Sequence, residues 1–70
     1  MIDIAVIRQH ARQNYNVGGW DVLVECWEDK DIVEFCQKAN IQDTQAAIFA
    51  IGQGLEIYDD YRQDIQAEIF

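Results

Sequence analysis

The chain contains no proline and no serine. Without proline, nothing forces a helix to break and no rigid linker separates domains. Without serine, every serine-nucleophile mechanism is excluded. Histidine is nearly missing too. His10 stands alone as a base for Cys26 or Cys36, and no local pattern joins the three. The expected role of His10 is a polar surface side chain.

Cys26 and Cys36 lack the short paired spacing of a structural zinc site, and no metal or cofactor is expected. The two thiols are expected to stay reduced, as small core residues in a cytoplasmic setting. Basic residues are scarce: 5 Lys and Arg face 13 Asp and Glu, for a net charge of −8. Nucleic-acid binders and anionic-membrane binders concentrate positive charge, so neither class fits. Long apolar runs are absent. The longest, Ala46 to Ile51, falls far short of the ~20 residues of a membrane span. The start of the chain, with Asp3, does not read as a signal peptide.

What is present points to a folded domain. Half of the 70 residues are hydrophobic, enough to form a core. The expectation is a single domain over 1–70, marginally stable because a chain this short buries only about 60% of its unfolded surface. The acids are unevenly placed. Residues 1–20 hold Asp3 against Arg8 and Arg12, and all the other acids follow, with Lys30, Lys38 and Arg62 to balance them.

Ile4, Ile7, Ala11 and Tyr15 recur at helical spacing, which predicts a helix from about Asp3 to Tyr15. Asp3 is placed to cap it, and Arg8, Gln9, Arg12 and Gln13 are expected to point outward. Asn14-Tyr15-Asn16-Val17-Gly18-Gly19 reads as a stop and turn. Residues 20–27 fit both periods: Trp20, Leu23, Val24 and Trp27 suit a helix, while Val22, Val24 and Cys26 alternate as in a strand. A lone strand would need a partner from another copy, so helix is preferred. Both tryptophans are expected to anchor the core.

Asp31 followed by Glu34 reads as a capping box, and Ile32, Phe35, Cys36 and Ala39 form the next helical face, stopped at Asn40. Asp29, Asp31 and Glu34 do not make a calcium loop, because Val33, Glu34 and Asn40 stand where an oxygen ligand, a glycine and a glutamate are needed. A new helix starts at Asp43 or Thr44. The segment from Asp31 to Ile48 is similar to a helix-turn-helix motif. Its second helix carries no basic residue before Arg62, so a DNA-reading role does not follow.

The last segment has the strongest pattern. Ile48, Ile51, Leu55, Tyr58, Arg62, Ile65 and Ile69 step by three and four, an apolar seam with one polar member. Ala47, Ala50, Gly54, Ile57 and Tyr61 run beside it. A helix over 43–69 would be roughly 40 Å long. That exceeds the width of a globule with a radius of gyration near roughly 11 Å. Either it bends at Gly52 and Gly54 or its end projects. Gly52-Gln53-Gly54 lacks the third glycine of a dinucleotide-binding turn. Glu56, Asp60, Asp64 and Glu68 lie at successive i, i+4 positions, with Asp59 beside them. Like charges at that spacing weaken a helix, and acids near its C-terminus oppose the macrodipole.

The expected fold is all-α, a small bundle of three to four helices with the long C-terminal helix as its spine. The alternative is α+β, with one short strand near 20–27. The expected function is a non-enzymatic interaction module that forms a dimer through Ile51, Leu55, Tyr58, Arg62, Ile65 and Ile69. A second reading is an acidic inhibitor or nucleic-acid mimic. It would offer Glu56, Asp59, Asp60, Asp64 and Glu68 to a basic protein, in the manner expected of a small acidic protein of phage or mobile-element type. A third is a site assembled only between copies from Cys26, Cys36 or His10 and acids.

Overall fold

The computed structural model describes residues 1–69, and the side chains of residues 1–62. Four helices follow one another: α1 (Ile4–Gln13), α2 (Trp20–Cys26), α3 (Asp29–Lys38) and α4 (Thr44–Ile69). The described residues include no strand, so the fold is an all-α bundle and residues 20–26 are helical.

The helix starts follow from acidic side chains that accept otherwise unpaired N–H groups. Asp3 Oδ1 accepts from the N–H groups of Ala5 at 3.1 Å and Val6 at 3.4 Å. Asp43 Oδ2 accepts from Ala46 N–H at 2.9 Å and so caps α4. Thr44 has another use. Its Oγ1 accepts from Asp3 N–H at 3.0 Å, tying the start of α1 to the start of α4.

The start of α3 corrects the expected register. Asp31 lies inside the first turn, and its Oδ2 accepts from Glu28 N–H at 2.8 Å. The capping box therefore begins at Glu28, one turn earlier than Asp31–Glu34 predicts. α3 stops at Asn40, whose φ is +55°. Asn40 N–H donates to Gln37 O at 3.1 Å and Ile41 N–H to Cys36 O at 2.9 Å, the paired bonds of a Schellman stop.

The turn between α1 and α2 shows why glycine is needed there. Gly19 has φ +88°, and a Cβ on it would sit 2.6 Å from Leu55 O. No L side chain fits between this turn and the α4 backbone.

Ile7, Leu23, Ile32 and Ile51, one from each helix, are the largest fully buried side chains. Each contributes about 1.5–3 kcal/mol by leaving water. Ala11, Trp20, Cys36, Ala47, Ile48 and Leu55 complete the core. α1 packs on all three other helices, and α2 also packs on α4. The hub is therefore α1, and the long α4 packs on α1 and α2. α4 runs unbroken through Gly52 and Gly54 for 26 residues. At ~1.5 Å per residue its length is about 39 Å. The molecule measures 45 × 23 × 18 Å, so its long dimension follows this helix and both shorter ones fall well below it.

Arg8 does not point outward as expected. Its guanidinium donates to Trp27 O at 2.8 Å and to Asp29 Oδ1 at 2.9 Å, fastening α1 to the start of α3.

Candidate functional site

The faces of α4 divide the expected site residues. Ile51 is 1% exposed and Leu55 4%, both inside the core of their own chain. What little surface the two keep faces the apolar groove they help to line. The seam pattern is genuine, but its first half is spent on α1 and α2. Tyr58 is 50% exposed, and Ile57 and Tyr61, one helical strip over, are 70% and 62% exposed. The side chains of Ile65 and Ile69 lie outside the described residues.

Arg62 is also held within the chain. Its guanidinium bonds Asp59 and lies 3.8 Å from Asp21 on α2. The Asp59 hydrogen bond, which outweighs a burial effect of opposite sign, raises its already high pKa. The Arg62 guanidinium carbon sits 6.0 Å from the centre of the Tyr58 ring. Arg62 therefore latches α4 to α2 within the chain. Asp59 goes with it: it is half-buried and turned to Arg62, away from the ridge. Glu56 and Asp60 are exposed, and neither forms an ion pair with a described residue. The side chains of Asp64 and Glu68 lie outside the described residues.

Beside Tyr58 the bundle leaves an apolar groove of about 460 Å³. Val22 and Cys26 of α2, Trp27, Phe35 of α3, and Ile51, Gly54, Leu55 and Tyr58 of α4 line it. Sequence patterning missed it because its walls come from three helices. Trp27 and Phe35 stand with ring centres 6.0 Å apart along it. Trp20 is buried in the core, and Trp27 is half-buried and packed against the core's edge. Cys26 is an exposed thiol on the groove, contrary to the expected core role, while Cys36 is buried and burial raises its pKa.

A second, wider cleft lies on the opposite flank of α4. Among its lining residues are His10, Val17, Trp20, Phe49, Gln53 and Glu56. His10 is half-buried, not a free surface residue. Its ring meets Trp20 edge-on, with centres 4.8 Å apart. Trp20 in turn lies flush against α4 at Gly52, where a Cβ would come within 3.1 Å of the indole.

The remaining polar contacts join neighbouring elements. The Tyr15 hydroxyl donates to Glu25, and that bond, with a small burial effect and the charges of Glu25 and Asp21, raises the phenol's pKa. Lys38 pairs with Glu34 at 2.8 Å, which raises its pKa.

Among the described residues, no group of three His, Cys, Asp or Glu side chains is placed to hold a metal ion. Among the same residues, no helix is long and apolar enough to cross a membrane. What the arrangement offers is an apolar strip and groove on one side of α4, and exposed acids on its outer side. No protein-family model, no curated protein and no solved structure matches this chain.

Proposed function

We propose that the chain is a non-enzymatic protein–protein interaction module that self-associates through the exposed apolar strip of α4. The observation that carries this reading is the set of Ile57, Tyr58 and Tyr61, each at least half exposed, beside an open apolar groove. Contiguous apolar surface of this kind costs solubility unless a partner covers it. The same reading sets the protein in the cytoplasm, where exposed Cys26 stays a thiol.

The second reading, an acidic ligand for a basic protein, is supported by the charge of −8 and by Glu56 and Asp60, exposed and without an ion pair among the described residues. Salt separates the two. Two chains that each carry −8 repel, so their association tightens as salt screens them. Binding to a basic protein weakens under the same change.

The test is solution mass by light scattering at low and high salt, on the native chain and on Ile57→Asp and Tyr61→Asp. Both positions are exposed, so the variants keep their fold, which circular dichroism checks. Leu55→Asp would not serve, because it puts a charge into the core. The native chain should be dimeric, more so at high salt, and both variants monomeric. A dimer that survives both substitutions removes the strip from this reading.

A further inference from the structure

Gly52 and Gly54 both sit within α4, and each weakens the helix by up to ~1 kcal/mol relative to alanine. Gly52 has a reason inside the chain, since Trp20 occupies the space of its missing side chain. Gly54 has none. A Cβ there would meet nothing within 4 Å beyond its own helix, and the space opens into the apolar groove. The helix is thus bare of side chain at the one groove position where another backbone or ring could come close.

The charges of α4 are divided between its two halves. Residues 44–55 carry no charged side chain at all. Residues 56–69 carry Glu56, Asp59, Asp60, Asp64 and Glu68 against Arg62 alone. Two such helices side by side in parallel would set acidic half on acidic half. Reversed, each acidic half lies along a neutral half, nearer the positive N-terminal end of the other helix.

The strip and the groove also adjoin on one helix, as a self-complementary two-fold contact requires. With the two-fold axis between Ile57 and Tyr58, each copy's Tyr61 falls beside the other's Gly54. The Tyr61 ring then covers the groove at Trp27 and Cys26.

Resting on the self-association reading, we infer that the groove of Val22, Cys26, Trp27, Phe35 and Gly54 receives α4 of a second copy, packed antiparallel with Tyr61 over Gly54.

Cys26 supplies the native readout. It is the exposed thiol of the pair, and buried Cys36 reacts slowly. The rate of its reaction with DTNB is followed from dilute to concentrated protein, beside light scattering on the same samples. Cys26 should lose reactivity in proportion to the dimer formed. Orientation is read by oxidative cross-linking in a Cys26→Ser background. Ile57→Cys, next to the axis, should cross-link to itself, and Ala50→Cys should not.

A chain that is monomeric at every concentration overturns the self-association reading and this inference with it. A dimer whose Cys26 reacts as fast as in the dilute protein overturns the groove alone. Cross-linking of both cysteine variants shows a parallel pair and overturns the orientation, as does failure of Ile57→Cys to cross-link.

Discussion

The two halves of α4 share one helix and have opposite surroundings. Residues 44–55 are uncharged and put Ala47, Ile48, Ile51 and Leu55 into the core. Within 56–62 no side chain is buried, two tyrosines and an isoleucine are exposed, and acids collect on the outer side. One apolar repeat runs through both. Periodicity therefore tells which residues share a face, and not whether that face meets its own chain or another. The distinction lies in where α1 and α2 end, and sequence spacing within α4 does not record that.

The largest effect should come from breaking the first half. Ile51→Ala removes a fully buried side chain at the shared centre of the four helices. Such truncations cost about 2–5 kcal/mol. A domain of this size has only about 4–10 kcal/mol to lose. The matching change in the second half, Ile57→Ala, falls at a residue 70% exposed, and surface changes of that kind stay within about 0.5 kcal/mol. Urea unfolding of dilute, monomeric protein measures both. Equal losses at the two positions would erase the division of the helix.

The two glycines give a finer comparison. Gly52→Ala pushes a methyl group to 3.1 Å from the Trp20 ring, which must shift within a packed core. Overpacking of that kind costs about 1–3 kcal/mol, which the gain of up to ~1 kcal/mol from a better helix former offsets only in part if the buried ring resists that shift. Gly54→Ala meets open space and replaces the poorer helix former. It should stabilise the monomer by up to ~1 kcal/mol and, if Tyr61 of a second copy packs there, weaken the dimer. Opposite signs for the two alanines in thermal unfolding would show that the chain's own packing needs Gly52 and not Gly54. A loss of stability at both would mean that Gly54 too is needed for internal packing.

What the sequence made legible is what neighbouring residues decide. Asp3 caps α1 and Asn40 ends α3 because a cap needs only the next few residues. The start of α3 slipped by one turn for a local reason. Glu28, Asp31 and Glu34 are acids spaced by three, so two capping boxes fit the same letters. Only the packing of Arg8 against Trp27 O and Asp29 distinguishes them. The rest depends on distant residues. Thr44 reads as a cap and instead bonds Asp3, which lies 41 residues away. Cys26 and Cys36 look alike in sequence, yet one is exposed on an open groove and the other is buried in the core, a difference set by which distant residues pack over each.

Arg62 marks the boundary between the two regimes. It is the one cation of the second half, and it reaches Asp21 on α2 while holding Asp59. Arg62→Gln should have the smallest effect on stability of the changes considered, since a part-exposed pair is weakened by solvent and salt. Its effect should be local. Amide hydrogen exchange near Tyr58 to Arg62 should quicken, while the amides around Ile51 keep their protection. The loss of one positive charge, which makes the chain more acidic than −8, should also raise the salt needed for association. Faster exchange extending back to Ile51 would show that the latch supports the core as well, and the boundary between the halves would then have to move toward Gly52.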